Sequence, residues 1–425
     1  MPQDAPATVS DLAPRVLMDQ GHARLHYAVP LAMERAGILA LAFCDYFRKN
    51  DAFDTAAIGL SRFFSKGLAE RMHDRYTPDL PPEKLRTERA WTLWRTWLKG
   101  VKGEHDGPYW DAWAKHRAKL IGRNLHHGNA LHGYITSLYP PLLREAGERG
   151  LHRSGDQIIA PVVEQERQAA LQHERFPGYA KPGKPSDLAR LRGEEERTWP
   201  ELDLVTCPSP YVREVLGEVG VDPGRVAVLP YPFDVAHAEP NRPVKPEGPL
   251  VVGFVGAVNL RKGTPYFVQV AKRLASERLK FRMIGPVDIS DQAVQDAGGA
   301  VEFCGGVPRS QVKQELRDMD VFFFPSTCEG SAGVLYEASS MALPIVTSPN
   351  SGTHLRSPDE AVVLPYDDID GYVEAIAALA DDAERRRALG QASCAALSRC
   401  SLDAYAASIR DVLSESMRRT GRGAA

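Results

Sequence analysis

The segment spanning residues 321–347 constrains the fold of this chain more than any other part of the sequence. Residues 321–324 (Val-Phe-Phe-Phe) are β-branched and aromatic, which is typical of a buried strand. A proline ends this run, and residues 326–333 are rich in glycine and small side chains, which predicts a loop. Composition favours a helix over 334–341 and a second strand over 345–347. This order predicts one βαβ unit of a parallel sheet.

Two glutamates lie in this unit, Glu329 in the predicted loop and Glu337 one turn inside the predicted helix. Ligands of open α/β sheets bind at the carboxyl ends of strands, where this loop lies. The backbone amides of residues 330–333 open a helix, and such amides attract anions such as phosphate. A carboxylate at 337 can accept two hydrogen bonds from a vicinal diol such as a ribose. At another place in a sequence, two glutamates at this spacing would most simply be solvated surface residues. Their position between a predicted buried strand and a predicted helix start favours a role in ligand binding.

The stretch EGSAGVLYEASSMALPIVTSPNSG, residues 329–352, resembles the donor-site signature of retaining GT-B glycosyltransferases of glycosyltransferase family 4, the glycosyl transferases group 1. In that family the first glutamate contacts hydroxyls of the transferred sugar, and the second holds the nucleotide ribose. The resemblance assigns these roles to Glu329 and Glu337. It assigns contacts with the diphosphate and the sugar to the residues between them, Gly330, Ser331, Ala332, Gly333 and Val334.

A second block supports the same resemblance. Residues 250–255 predict a buried strand, and Arg261 and Lys262 follow in a loop just before a helix of apolar periodicity. Cations at that place suit a diphosphate leaving group, although the pair alone could be a solvated turn. The family usually has an arginine directly after the first glycine, where this chain has Ala257 after Gly256. Arg261 is therefore interpreted as the substitute cation.

Two further predicted strands, residues 281–284 and 301–304, end in glycine-containing loops. In the family, loops in these places approach the nucleotide base and ribose. The resemblance thus adds Gly285 and Val307 to the predicted donor contacts. The residues themselves are equally consistent with two ordinary strand ends.

Composition sets compatible bounds. The chain has 425 residues, of which 43% are hydrophobic and 25% charged, so two globular domains are expected. Its net charge of −3 gives no electrostatic case for nucleic acid binding. We expect no transmembrane helix, no signal peptide and no metal site, and we expect the six scattered cysteines to be reduced thiols of a cytoplasmic protein.

A proline-rich polar stretch at residues 237–249 predicts an inter-domain linker. The predicted limits are 1–238 for an acceptor-binding domain, 239–405 for a nucleotide-sugar-binding domain, and 406–425 for a C-terminal helix and tail. The resemblance implies an α/β architecture of the GT-B type. In it, two Rossmann-like doubly wound domains face a central cleft, and the C-terminal helix crosses back to the first domain.

The N-terminal half carries weaker signals. A first strand is predicted at 15–18 with a loop at 20–24, and the resemblance places Gly21 and His22 of that loop on the acceptor side. Many family members have a histidine at the end of a later strand, where this chain has Ala160 and Pro161. Gln157 and Glu164 are the nearest polar residues, so the acceptor-side machinery stays unassigned.

Trp91, Trp94 and Trp97 are spaced three apart and form one stripe of a predicted basic helix. Such a stripe could rest on an anionic bilayer as a peripheral contact. It could equally face the core, or form a lid over the acceptor cleft. These three alternatives remain open from sequence.

The resemblance implies transfer of a sugar from a UDP-, GDP- or ADP-type donor to an unidentified acceptor, with retention of anomeric configuration and without a metal. The nucleotide-diphospho-sugar is a co-substrate, and no cofactor is expected. Two alternatives share the same architecture. One is a nucleotide-sugar epimerase or hydrolase, and the other is a catalytically silent nucleotide-sugar-binding protein. The sequence does not determine the oligomeric state.

Overall fold

The chain folds around two parallel β-sheets. The computed structural model describes residues 13–21, 23–64, 66–102, 106–181, 188–244 and 249–423. The strands of the first sheet are β1 (Val16–Gly21), β2 (Leu39–Cys44), β3 (Leu85–Thr87), β4 (Ala130–Tyr134), β5 (His152–Asp156), β6 (Leu204–Cys207) and β7 (Val226–Val228). Those of the second are β8 (Leu250–Val255), β9 (Leu279–Ile284), β10 (Glu302–Gly305), β11 (Val321–Phe324), β12 (Ile345–Thr347) and β13 (Val362–Val363).

Helices connect the strands of both sheets. Those of the N-terminal half are α1 (Ala28–Arg35), α2 (Ala52–Phe64), α3 (Lys66–His73), α4 (Arg89–Lys102), α5 (Asp106–Gly122), α6 (Pro140–Glu148), α7 (Val162–Arg175), α8 (Leu188–Thr198) and α9 (Pro210–Glu218). Those of the C-terminal half are α10 (Thr264–Leu274), α11 (Asp291–Asp296), α12 (Arg309–Arg317), α13 (Gly333–Ser340), α14 (Ile369–Asp381), α15 (Ala383–Ala396) and α16 (Leu402–Thr420). The predicted class, two Rossmann-like doubly wound domains, is confirmed.

The strand order identifies where each sheet can hold a ligand. The first sheet has the order β3-β2-β1-β4-β5-β6-β7, and the second has the order β10-β9-β8-β11-β12-β13. The direction of winding reverses between β1 and β4 in the first sheet, and between β8 and β11 in the second. In open α/β sheets, ligands bind in the crevice outside the carboxyl ends of the strands at such a reversal.

Most of the predicted elements are confirmed. β11, α13 and β12 form the predicted βαβ unit, and β11 pairs in parallel with β12. At the start of α9, the side chain of Ser209 accepts a hydrogen bond from the amide of Val212 at 3.4 Å, as an N-cap does. The predicted end of the first strand is wrong. β1 continues to Gly21, because its pairing with β2 extends to Cys44.

The C-terminal helix α16 packs on the first sheet. Its residues Ile409, Leu413 and Met417 are buried in one cluster with Val16 and Met18 of β1. Side chains of this size each contribute about 1.5–3 kcal/mol when they are removed from water. The helix therefore crosses back to the N-terminal half. It begins at Leu402, and the proposed domain limits stay predictions.

The tryptophan stripe lies on α4, and only part of it is packed. The ring of Trp91 stacks on His116 of α5, with the centroids 3.9 Å apart. Trp94 and Trp97 are 53% and 58% exposed, so the core-facing alternative is wrong for these two side chains. Among the described residues, no helix is long and apolar enough to cross a membrane.

A buried aspartate at the end of β5 makes stability depend on pH. Asp156 accepts hydrogen bonds from the hydroxyls of Thr206 and Tyr231, each at 2.9 Å. Burial nevertheless raises its pKa from the usual value of 3.8 to about 6. Because the folded pKa is raised, the contribution to stability is fully present below the unfolded pKa and is lost as the pH rises through about 6.

The wild type should lose stability when the pH is raised from 4 to 7. We expect Asp156→Asn to reduce that loss by about 2 kcal/mol, because the variant has no carboxyl to ionise. Urea unfolding of both proteins across this pH range measures the difference. The change of the variant's unfolding free energy with pH is the reference, because it contains the contributions of all other titrating groups. Parallel pH profiles for the two proteins would contradict the assignment.

Candidate functional site at the reversal point of the second sheet

Two loops meet where the winding of the second sheet reverses, one after β8 and one after β11. The carbonyl of Arg261 accepts hydrogen bonds from the amide of Thr327 at 2.9 Å and from the hydroxyl of Ser326 at 3.1 Å. Gly263 has a φ of +76°, and a Cβ at this residue would lie 1.9 Å from the carbonyl oxygen of Pro325. Glycine is therefore required here, because only glycine combines that conformation with so close an approach.

These loops bring three of the predicted site residues into direct contact. Oε1 of Glu329 lies 2.7 Å from Nη1 of Arg261 and 2.5 Å from Nζ of Lys262. The Ser326 hydroxyl donates to the same oxygen at 3.2 Å. Burial lowers the pKa of Lys262, while the carboxylate of Glu329 acts in the opposite direction. The result is an ion cluster with one carboxylate and two cations, so it can still accept an anionic group.

The loop that follows Glu329 offers fewer free amides than the sequence predicted. The amide of Glu329 donates to the carbonyl of Asn350 at 2.9 Å, and that of Ala332 donates to the carbonyl of Ser351 at 3.1 Å. The interpretation of residues 330–333 as an unbroken row of free amides is thus wrong at Ala332. The helix α13 begins at Gly333 and Val334, and Ser331 directly precedes its N-cap residue, Ala332. A helix start of this kind carries a partial positive charge.

Glu337 lies on α13, at the other end of this loop from the ion cluster. Burial raises its pKa above the usual value, and the guanidinium of Arg309 at the start of α12 acts in the opposite direction. Val307, two residues before Arg309, is partly buried against the core of the second sheet. Arg309, two residues after Val307, is therefore near enough to Glu337 for its charge to act on that carboxyl. The described contacts do not join Glu337 directly to Arg261 or Lys262.

Gly256 and Gly285 lie side by side at the same edge. Their φ angles are +149° and +148°, and a Cβ on Gly285 would lie 1.8 Å from the carbonyl oxygen of Gly256. The amide of Gly285 donates to the carbonyl of Gly305 at 2.8 Å. The loops after β8, β9 and β10 thus approach one another so closely that a side chain at Gly285 would not fit between them.

The N-terminal half reaches this site through Gly330. A Cβ on Gly330 would lie 2.0 Å from the carbonyl oxygen of Ile158, and the hydroxyl of Ser209 donates to the carbonyl of Gly330 at 2.6 Å. Gln157 and Glu164 do not replace the family's usual histidine as free polar groups. Gln157 donates to Glu195 at 2.7 Å, and Glu164 accepts from the hydroxyl of Tyr211 at 2.9 Å.

Gly21, one of the two residues predicted for the acceptor side, is the last residue of β1. Gly21 has a φ of +61°, and a Cβ there would lie 3.2 Å from the ring of Trp113 and 3.6 Å from the hydroxyl of Ser137. His22 lies outside the described residues. Gly21 thus adjoins a cavity in the N-terminal half, and no contact among the described residues joins it to the ion cluster.

Sequence reasoning missed the residues that support the site from behind. Asn350 donates from its side-chain amide to the carbonyl of Thr327 at 3.0 Å. Gly352 has a φ of +64°, and a Cβ there would lie 2.0 Å from the carbonyl oxygen of Gly330. The available signal was the run Pro-Asn-Ser-Gly after β12, which is typical of a tight turn. Among the described residues, no group of three or more His, Cys, Asp or Glu could hold a metal ion, and metal independence stays a prediction.

Residues 249–382 match the family model described as glycosyl transferases group 1. The matched region contains both glutamates and both cations of the site. The chain is also 30% identical over 154 residues to an Escherichia coli protein named as a colanic acid biosynthesis glycosyltransferase. That match covers 32% of this chain and 37% of the relative, so the chain aligns with well under half of the relative's length.

Solved structures of similar fold cover nearly the whole chain. Sucrose-phosphate synthase from Thermosynechococcus elongatus superposes with a TM-score of 0.57 at 16% identity, covering 95% of this chain and 99% of that one. HepE from Anabaena, solved in complex with UDP-glucose, superposes with a TM-score of 0.55 at 14% identity, covering 94% of this chain and 99% of that one. At such identities the likeness establishes the fold, which is that of GT-B glycosyltransferases.

The contact at Gly330 yields a prediction about the coupling of the two halves. Gly330→Ala places a methyl group against the carbonyl of Ile158, whereas a Cβ at Gly333 has no neighbour within 4 Å. We expect Gly330→Ala to lower the free energy of unfolding by about 1–3 kcal/mol. Gly333→Ala, the matched control, should leave it nearly unchanged. Chemical denaturation measures both, and equal effects would contradict the close packing at Gly330.

Proposed function

We propose that this protein transfers a sugar from a nucleotide-diphospho-sugar to an acceptor. The observation that carries the proposal is the contact of Glu329 with Arg261 and Lys262 at the reversal point of the second sheet. A site for a sugar diphosphate needs cations beside the phosphates and a carboxylate beside the sugar hydroxyls. The match of this region to glycosyl transferases group 1, and the fold shared with a protein solved with UDP-glucose, support the same proposal.

In the proposed reaction, the bond between the anomeric carbon and the diphosphate oxygen breaks, and a bond from the acceptor oxygen to that carbon forms. Negative charge develops on the departing diphosphate. Arg261, Lys262 and the amino end of α13 stabilise it, because they are already in place before the charge appears. Glu329 accepts hydrogen bonds from the sugar hydroxyls, and Glu337 accepts them from the ribose. Gly256, Gly285 and Val307 line the base and ribose side through their backbone.

Retention of configuration and metal independence belong to the proposal. The acceptor attacks from the face that the diphosphate leaves, and the acceptor proton passes to the leaving phosphate oxygen, so no protein nucleophile is required. The two cations supply the charge stabilisation that a divalent metal would give. The contact between Ile158 and Gly330 supports closure of the halves over the donor, which would exclude water and favour transfer over hydrolysis.

Lys262 is the residue whose loss tests the leaving-group role. Lys262→Met keeps the bulk of the side chain and removes its charge, so kcat/KM for transfer should fall about 10²–10³-fold. Lys280→Met, at an exposed position of β9, is the matched control and should retain wild-type kinetics. Release of nucleoside diphosphate from UDP-, GDP- and ADP-sugars with a panel of acceptors provides the measurement.

The same assay separates the alternatives. A transferase releases little free sugar from the donor alone, whereas a hydrolase releases it without acceptor and an epimerase converts it. A silent binding protein would bind the nucleotide and turn over none of the panel. Wild-type activity in Lys262→Met would contradict the proposed stabilisation of the diphosphate.

The role of Glu337 predicts a pH dependence of nucleotide binding. Because burial raises the pKa of this carboxyl, its ionised form, which accepts from the ribose, is lost at a higher pH than for an ordinary glutamate. UDP affinity should therefore weaken on acidification. It should do so at a higher pH in Arg309→Ala, since Arg309 opposes the shift. Calorimetry from pH 4.5 to 7.5 measures both proteins, with Glu337→Gln as the non-titrating control. Superimposable profiles for wild type and Glu337→Gln would contradict the role.

The exposed Trp94 and Trp97 support a proposed peripheral contact with an anionic membrane surface. Substituting both with alanine should lower co-sedimentation with phosphatidylserine-containing vesicles severalfold. Vesicles of phosphatidylcholine alone serve as the control for charge. Unchanged co-sedimentation of the double variant would contradict the membrane contact.

A further inference from the structure

A large cavity lies in the N-terminal half, at the reversal point of the first sheet. It has a volume of about 760 Å³, within the size range that holds small-molecule ligands. Its walls are the loop after β1, the loop after β4, and the helices α5 and α8. The cavity thus occupies the position in the first sheet that the ion cluster occupies in the second. Of the described residues that line it, none belongs to the proposed donor site.

One wall of the cavity is aromatic. Trp110 and Trp113 of α5 pack edge to face, with their ring centroids 5.6 Å apart, and Tyr139 lies on the neighbouring loop. Trp113 is fixed from behind, because the guanidinium of Arg117 lies 4.7 Å from its ring and forms a buried ion pair with Asp19. A rigid aromatic surface of this kind packs well against the apolar C–H face of a sugar or cyclitol ring.

Part of the charge around the cavity is compensated internally. Arg144 binds Glu201 at 3.0 Å, and Arg190 of α8 forms an ion pair with Glu194 one turn along the same helix. Burial raises the pKa of Glu194, and both Arg190 and Arg197 act in the opposite direction. These pairs leave little net charge on their side of the cavity.

Arg24 is different. Within the described parts of the chain, no carboxylate lies within ion-pair distance of its guanidinium, which lies 5.0 Å from the ring of Tyr134. Its charge acts only at longer range on the buried carboxyl of Asp156, where it opposes the rise in pKa that burial causes. The buried side chain of Gln20 donates to the carbonyl of Arg24 at 2.9 Å and so holds its backbone. The three residues that follow, 25–27, all have positive φ angles of 50°, 49° and 64°. Strain in such a run persists only where surrounding structure imposes it, and it is concentrated at binding sites.

The cavity lies at the edge of the first sheet that meets the donor half. The loop after β5 reaches Gly330 through Ile158. β4 is the next strand, followed by β1, and the cavity is bounded by the loops at the carboxyl ends of these two strands. A ligand in this cavity would therefore lie at the carboxyl edge of the first sheet, the edge from which the loop after β5 contacts Gly330.

We propose that this cavity is the acceptor site and that it takes a hydroxyl-bearing ring carrying a phosphate or carboxylate group. The ring packs on Trp110, and the guanidinium of Arg24 binds the anionic group in the bidentate manner that arginine favours. This inference rests on the proposed glycosyl transfer, for which the ring supplies the attacking hydroxyl.

Calorimetric titration of the full chain with glucose 6-phosphate, glucuronate, glucose and inorganic phosphate tests the inference. At least one of the two anionic sugars should bind ten or more times more tightly than glucose, and the stronger of them identifies the phosphate or carboxylate source. Arg24→Ala should weaken that sugar at least tenfold. Arg213→Ala, at an exposed position of α9, is the matched control and should bind it like wild type. Trp110→Ala should weaken the sugar but leave binding of inorganic phosphate unchanged.

The result that overturns the inference is equal affinity for glucose and both anionic sugars, unchanged affinity in Arg24→Ala, or no binding of either anionic sugar. Melting temperatures of the variants check that they are folded. Binding of UDP, GDP or ADP to the wild type separates the two proposals. If one of these nucleotides binds and the anionic sugars do not, the acceptor inference fails and the proposed function stands. If no nucleotide binds, the proposed function itself fails.

Discussion

The C-terminal half depends on one contact, in which a carboxylate from one βα loop is held by two cations from another. The side chains of Glu329 and Lys262 are 10% and 16% exposed, so neither charge is well solvated. Leaving a buried charge of this kind without its partner costs about 3–5 kcal/mol. The loops can approach closely enough only because Gly263 lies directly against the backbone of Pro325. The glycine at 263 therefore permits the close approach of the two loops, and that approach brings Glu329 to its two cations.

The two halves use the same geometric principle with different chemistry. Each sheet reverses its winding once among the described strands, between β1 and β4 and between β8 and β11. The second reversal point holds a compact set of charges suited to phosphates. The first holds a wide cavity with an aromatic wall and Arg24, whose guanidinium forms no ion pair with any carboxylate of the described residues. Gly330 joins the two, since it has no side chain to separate the loop after β5 from the donor loop.

The site of the second sheet was predictable because its residues are close in sequence and follow strong strand patterns. The runs at 250–255 and 321–324 are continuous and apolar, so the loops after them could be placed, and with them Arg261 and Glu329. The engagement of the Ala332 amide was not predictable, because its partner Ser351 comes from the loop after the next strand. Spacing along the chain does not reveal which backbone groups another loop will occupy.

The cavity of the first sheet was harder to foresee for the same reason. Its wall combines residues as far apart as Arg24 and Glu201, and each is unremarkable in its own segment. Gly21 was placed on the acceptor side, but β1 runs farther than its apolar pattern indicated, since buried polar residues such as Asp19 and Gln20 continue the strand. Alternation of apolar residues cannot detect strands whose polar groups are satisfied internally.

A crystal structure of the chain with bound UDP would test the central claim most directly. The account predicts that the diphosphate lies within hydrogen-bond distance of Nζ of Lys262, at the amino end of α13, and that the ribose hydroxyls contact the carboxylate of Glu337. A diphosphate bound elsewhere, with the contact between Lys262 and Glu329 unchanged, would contradict it.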